Sequence, residues 1–347
     1  MTITEILAAA IKRGASDVHL LSDLQPAYRV NGYIEMAPSP PIPADDLEAM
    51  LDAILTDDQR ATFAETRELC FSQNLDELGF FRFNLATHLG RPEAAIRIGH
   101  KELPDYDALG LPEALLECLQ STHGLILVTG PTGVGKTTTL NAIIHRINRA
   151  ERKKIVTIED PVEFVHPQLK SLVVQREIGL DTPGFHRAVI HALRQDPDII
   201  VIGEMRDLET IAAALTAAET GHLVLATLHT NGAAGTVSRI VDVFPAQQQA
   251  QIRLQLASTL RAVITQKLLP RADGEGRVLV YELLVMNAAG RNIIRDGRAN
   301  QLPNIIQTGA SLGMKSMDQM IREAYDAGEI TWDTACSAVV DPKVLKR

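Results

Sequence analysis

The chain is short of aromatic residues, of cysteine and of excess positive charge. Aromatics make up 4% of it, with one tryptophan, which counts against a stacking surface for bases and against an aromatic-rich interface. The three cysteines, Cys70, Cys118 and Cys336, form no C-x-x-C pair. They read as buried thiols in a reducing compartment and leave zinc without a ligand set. Lysine and arginine total 34 against 43 aspartate and glutamate, for a formal net charge of −9. The general electrostatic footprint of nucleic-acid binding is therefore missing, with room only for a local basic patch. No run of about 18 apolar residues occurs, so no membrane span is expected. At the N-terminus the apolar residues precede Lys12 and Arg13, the reverse of a secretory signal. A cytoplasmic protein is expected, free to dock onto a membrane partner.

What the chain does contain is well organised. With 347 residues, 46% hydrophobic and 22% charged, it has the profile of a globular protein large enough for two domains. Residues 3–13 put Ile3, Ile6, Leu7, Ala10 and Ile11 on one helical face, and Gly14 ends that helix. Residues 17–21 and 27–36 read as strands, the latter folded into a hairpin at Asn31-Gly32. A proline-rich loop at 38–43 and two short helices within 45–64 follow. Strand character returns at 68–75, 80–86 and 94–98. These pieces make an α+β domain over residues 1–99, and Pro104, Gly110 and Pro112 mark a linker at 100–112.

From 113 to 347 strands and helices alternate. Strands are expected at 125–129, 154–159, 172–175, 199–202 and 222–228, with helices at 136–149, 185–194 and 208–220 between them. This is the pattern of a mostly parallel sheet covered on both faces, with its ligand crevice at the carboxyl ends of the strands. Beyond Thr236 helices dominate: a long helix at 246–264, room for a hairpin within 267–284, and helices near 287–296, 315–327 and 331–339.

At the centre of this half lies LILVTGPTGVGKTTTLN, residues 125–141. An apolar run leads into Gly130-Pro131-Thr132-Gly133-Val134-Gly135-Lys136-Thr137, which fills the G-x-x-x-x-G-K-[ST] pattern, and an amphipathic helix continues through Thr138. The glycines let successive N–H groups point into one concavity, and the helix N-terminus adds its own unpaired donors. Such a loop binds a nucleoside triphosphate: Lys136 reaches the β- and γ-phosphates and the Thr137 hydroxyl sits on Mg²⁺. A Gly-rich turn with a neighbouring lysine is the plain alternative. The strand before it and the helix after it argue for the phosphate loop.

Three further strand ends carry polar groups. Glu159, Asp160 and Glu163 put three carboxylates in five residues, which would repel a triphosphate unless they faced a metal or a water; a solvated acidic loop is the other reading. Four apolar β-branched residues, 199–202, lead to Gly203 and Glu204, where an acid can polarise the attacking water and sit near Mg²⁺, or simply cap a helix. His222 and His229 flank the next strand on opposite rims of the sheet. His229, at the phosphate-loop edge, could sense the γ-phosphate or be a satisfied capping group. Phosphoryl transfer also calls for an arginine from elsewhere. Arg82 and Arg97 sit in strands of the small domain with Arg91 between them, and Arg82 lies in the apolar run FFRFN; a salt bridge within that domain is the competing reading.

In this order and spacing the blocks resemble the secretion ATPases of type II and type IV systems, and within them the pilus-retraction branch. The likeness covers nearly the whole chain. It runs from Gly14-Ala-Ser-Asp-Val-His-Leu through the Arg82-Phe-Asn segment and the phosphate loop to an acidic box at 158–164. It continues through an atypical Walker B block at 193–207 and a histidine box at 220–230. Ile305-Ile-Gln-Thr-Gly309 and Gly313-Met-Lys-Ser-Met-Asp318 are more particular to the retraction branch. The resemblance implies a RecA-like P-loop core, a small PAS-like N-terminal domain and a helical C-terminal subdomain from about 246. It implies an ATPase that uses ATP and Mg²⁺, assembled as a homohexamer with nucleotide between its domains.

By the same resemblance, Lys136 and Thr137 hold phosphate and Mg²⁺, Glu204 promotes hydrolysis, and Glu163 lies near metal and water. Glu159 and Asp160 share the acidic box. His222 and His229 are the histidines of the histidine box, Arg82 and Arg97 turn towards the nucleotide, and Arg194 and Arg239 are structural or interface arginines. Such a motor works at the cytoplasmic face of the inner membrane against the pilus platform protein, alongside a second retraction ATPase, to withdraw pilin subunits in twitching motility. Departures are small. Cys70 stands where the family more often has an acid, His88-Leu-Gly-Arg91 is an unusual basic turn, and Gly290 replaces a bulkier apolar residue, which predicts a looser helix.

An extension or secretion ATPase would add an N-terminal domain and a four-cysteine zinc module, and there is neither room before residue 14 for the first nor the ligands for the second. An accessory retraction paralogue differs chiefly by a longer tail. A scaffold ring that binds ATP without hydrolysis would not need Lys136, Glu204 and Arg82 together. A nucleic-acid translocase would need basic pore loops, against the acidic balance.

Overall fold

The computed structural model describes residues 2–30, 32–75, 78–99 and 105–345. By contact the chain divides into two units, Met1–Leu103 with Pro161–Val165, and Pro104–Asp160 with His166–Arg347.

The first unit carries strands β1 (Asp17–Leu21), β2 (Ala27–Val30), β3 (Tyr33–Met36), β4 (Glu68–Leu75), β5 (Gly79–His88) and β6 (Arg91–Ile98). They form one sheet in the order β3-β2-β1-β6-β5-β4, each pair antiparallel. In β5 the alternate residues Phe81, Phe83 and Leu85 are buried and share a core with Leu7 of helix Ile3–Lys12 and Leu47 of helix Ala44–Asp52. A capping box between Thr2 and Glu5 starts the first of these helices. Asn31, half of the expected hairpin turn, lies outside the described residues, and Val30 pairs with Tyr33 across it.

Period two puts Arg82 on the face of β5 away from that core, so the charge expected inside an apolar strand is on its other side. Register then lines up Ser72, Arg82, Arg97, Asp17 and Arg29 across β4, β5, β6, β1 and β2. Two arginines directly opposite each other repel. Arg97 is compensated by donating from Nε to Asp17 Oδ1 at 3.0 Å. Burial pushes the Asp17 carboxyl up, but hydrogen bonds from Ser16 and Arg97 outweigh it and hold the group below its ordinary value. Arg91 pairs with Asp23.

The second unit carries β7 (Gly124–Thr129), β8 (Lys154–Glu159), β9 (Leu172–Glu177), β10 (Ile199–Ile202), β11 (Leu223–Leu228), β12 (Leu260–Pro270) and β13 (Arg277–Val285). The sheet runs β13-β12-β7-β11-β10-β8-β9, parallel except for the β12–β13 hairpin. Every residue of β7 is buried. Its alternation feeds two cores: Ile126 and Val128 meet Leu140, Ile143 and Ile147 of helix Lys136–Ala150. Leu125 and Leu127 instead share a core with helices Leu208–Glu219, Gly232–Asp242 and Ala246–Thr259. Burying each such leucine or isoleucine contributes about 1.5–3 kcal/mol, which fixes the strand whose end carries the phosphate loop.

Several expectations need correcting. The helix expected over 246–264 stops at Thr259, and Leu260 begins β12, which pairs in parallel with β7 and antiparallel with β13. Residues 260–264 are apolar enough for either helix or strand, and β7 offers them an unpaired edge. The hairpin expected within 267–284 is present and starts earlier, at Leu260. Helices Glu113–Leu119 and Leu302–Thr308 were not anticipated. Cys70 and Cys336 are exposed and Cys118 half-buried; in β4 it is Phe71 that turns inward, leaving its neighbour Cys70 outward.

At Gly290 the helix Ala288–Arg295 is capped by Asn287, whose Oδ1 accepts from the Gly290 N–H at 2.8 Å. A Cβ there would come within 2.8 Å of Met286 Sδ, so the glycine makes room for methionine and the helix start is anchored. Residues 100–104 of the expected linker lie outside the described residues. Tyr106 is buried and donates to the Pro112 carbonyl at 2.8 Å, which folds 105–112 onto the second unit. Among the described residues no helix is long and apolar enough to cross a membrane.

Candidate functional site

Beyond Thr129 the backbone enters the left-handed region at Gly130 (φ 139°), Gly133 (φ 81°) and Gly135 (φ 85°). At Gly130 the need for glycine is also steric, because a Cβ would lie 2.6 Å from the Gln266 carbonyl oxygen of β12. Helix Lys136–Ala150 starts at Gly135 without a side-chain cap, so its first N–H groups remain available to an anion. Lys136 is buried, and its Nζ donates to the carbonyls of Gly130 at 2.9 Å and Pro131 at 3.0 Å. Burial pushes its pKa down, opposed by the charge of Glu204. An uncapped helix start, three left-handed glycines and a lysine on the loop fit the phosphates of a nucleotide.

Glu204 follows β10 at the same edge of the sheet. Its Oε1 lies 3.2 Å from His229 Nε2, and its Oε2 accepts from Arg206 at 2.8 Å. Burial pushes the Glu204 carboxyl up, but the Arg206 hydrogen bond and the charges of His229 and Arg206 outweigh it and hold the group below its ordinary value. His229 Nδ1 lies 3.3 Å from Thr132 Oγ1 and 3.4 Å from Lys136 Nζ. The ring thus faces the carboxylate through Nε2 and the phosphate loop through Nδ1. Helix Leu208–Glu219 is capped by Asp207, which accepts from the Thr210 N–H at 2.7 Å, so capping does not occupy Glu204.

The remaining residues singled out from sequence are spread more widely. Glu159 is buried at the end of β8, accepting from Thr157 Oγ1 at 2.6 Å and Gln175 Nε2 at 3.0 Å. Asp160 is exposed, and its charge reinforces that of Glu204 in raising the Arg206 pKa. Glu163 is exposed in the 161–165 stretch that clusters with the first unit, the unit that also carries Arg82 and Arg97. His222 precedes β11 at the opposite edge, with Nδ1 3.2 Å from the Ala217 carbonyl oxygen. Arg194 and Arg239 are exposed. Sequence reading missed Arg206 as the partner of Glu204, although a cation two residues after the acid was visible. It also missed Asn141, His166 and Gln175, whose association has no local signal.

The chain is 44% identical over 335 residues to the type IV pilus retractation ATPase PilT of Pseudomonas aeruginosa, covering 96% of this chain and 97% of that one. It is 34% identical over 335 residues to the type IV pilus ATPase PilU of the same organism, covering 96% and 88%. A crystal structure of the pilus retraction motor PilT with bound ADP matches it with a TM-score of 0.93 and 44% identity, over 99% of this chain and 98% of that one. Residues 1–335 match the family described as Type II/IV secretion system protein. The phosphate loop and the acid beside it thus sit in a fold and a sequence that agree over nearly their whole length, and the chain belongs to the type II/IV secretion system protein family.

Proposed function

We propose that this chain is an ATP-hydrolysing motor of type IV pilus retraction. The observation that carries the reading is the contact of His229 with both Lys136 and Glu204, at 3.4 Å and 3.2 Å, which joins the phosphate loop to the acid after β10 in a chain of this family.

Residues Gly130 to Thr138 cradle the phosphates of ATP, and Lys136 exchanges its loop carbonyls for phosphate oxygens. Thr137, Glu163 and Glu204 would hold Mg²⁺ directly or through water, and the ion would supply positive charge to the phosphates. Glu204 orients the attacking water and takes its proton; His229 and Arg206 fix the carboxylate. Arg82 and Arg97 supply cationic charge from the small domain.

In this reading six copies make a ring that works against the pilus platform protein at the cytoplasmic face of the inner membrane, alongside a second retraction ATPase. The names of the PilT relatives and the full-length match support it. Purified chain should hydrolyse ATP and the Glu204→Gln variant should bind nucleotide but not turn it over. Cells lacking the chain should keep their pili and fail to shorten them. Wild-type turnover by Glu204→Gln, or normal retraction in the deletion strain, would overturn the proposal.

A further inference from the structure

A buried hydrogen-bonded relay runs from the phosphate-loop helix to the end of β8. Asn141 Nδ2 donates to the Thr137 carbonyl at 3.0 Å, one turn back on the same helix. That bond sets the orientation of the amide, so Oδ1 is the acceptor facing His166 Nε2 at 2.7 Å, and Nε2 carries the proton. His166 is 3% exposed. Burial, with His145 nearby, pushes its imidazole down to about 4, so the ring is neutral at physiological pH.

The His166 backbone N–H donates to Gln175 Oε1 at 2.8 Å, and Gln175 Nε2 donates to Glu159 Oε1 at 3.0 Å. Asn141, His166 and Glu159 are all buried. In a low-dielectric interior each member holds the next, and removing one leaves its neighbours with unmet hydrogen bonds. The location gives the relay its consequence. The chain leaves the second unit at Pro161 and re-enters it at His166, so both the departure strand and the point of return are fastened to the first turn of the phosphate-loop helix.

We infer that His166, with Asn141, is a positioning couple for the hydrolytic site, fixing the spacing between the helix turn that carries Thr137 and the acidic strand end at Glu159. This rests on the ATPase reading above. It differs from a purely space-filling role, because a phenylalanine would fill the cavity without donating a hydrogen bond, whereas glutamine places an N–H close to the position of Nε2.

The test compares His166→Phe, His166→Gln and Asn141→Ala in the full chain. It reads ATP turnover together with the affinity for a fluorescent ADP analogue, measured with Mg²⁺ and with a chelator. Outer partners of metal and catalytic groups typically matter by about 10- to 100-fold. His166→Phe should therefore lower kcat by about that factor with little change in KM, and shrink the gain in nucleotide affinity that Mg²⁺ provides. His166→Gln should restore both. Asn141→Ala should reproduce the phenylalanine defect, and the double variant should be no worse than either single one. Wild-type kcat and Mg²⁺ gain in His166→Phe, or a glutamine variant as impaired as the phenylalanine one, would overturn the inference. Should His166→Phe fail to fold, wild-type behaviour of Asn141→Ala overturns it and the paired defect supports it. Full turnover by Glu204→Gln would instead sink the catalytic reading on which it stands.

Discussion

His229 Nε2 lies 3.2 Å from Glu204 Oε1, tying the residue after β11 to the acid after β10. The other ring nitrogen faces Thr132 and Lys136, so the one side chain touches both the loop and the carboxylate. His229→Ala should lower ATP turnover by about 10- to 100-fold while nucleotide affinity stays within a few-fold. Steady-state kinetics beside a binding titration decide this; unchanged kcat would rule out the coupling.

Arg206→Ala should move the acid limb of the turnover–pH profile upward. Arg206 helps hold the Glu204 carboxyl below its ordinary 4.5, against the upward push of burial. The ionised group therefore contributes stability that is present above its unfolded pKa and lost as pH falls through the lower folded value. Without the guanidinium the folded pKa rises, so the ionised carboxylate is lost at a higher pH. Rate measurements from below the ordinary carboxylate range up to neutral pH check the direction of the shift, and a limb that stays put or moves down contradicts the assignment.

Arg97→Ala separates function from stability. Its ion pair with Asp17 is largely exposed on the arginine side, at 68%, so its loss should cost no more than about 1 kcal/mol by chemical denaturation. If Arg97 serves the nucleotide as proposed, turnover should drop about 10-fold or more. Full turnover in both Arg82→Ala and Arg97→Ala would remove the small domain from catalysis.

Gly130→Ala should destabilise the protein, by about 1–3 kcal/mol from backbone strain alone. The position combines φ 139° with a Cβ placed 2.6 Å from a β12 carbonyl. Denaturant midpoints of the variant and the wild type measure it. Equal midpoints would show that β12 yields at little cost.

The phosphate loop was legible because its signal is local: an apolar run, spaced glycines, Lys136 and Thr137, then a helix. The inward face of β5 was legible for the same reason, since Phe81, Phe83 and Leu85 recur with period two. Residues 260–264 were not, because an apolar run takes helix or strand according to its neighbours, and here the edge of β7 decided. The pairing of Arg82 with Arg97 follows from strand register, and the Asn141–His166–Gln175–Glu159 relay joins side chains and one backbone N–H from four separate stretches of chain. Composition and periodicity thus determined most of the elements and the glycine turn before Lys136, since these depend on residues a few positions apart. The tertiary structure alone decided which distant polar groups meet, because a buried hydrogen bond forms only where packing removes water and brings donor and acceptor together.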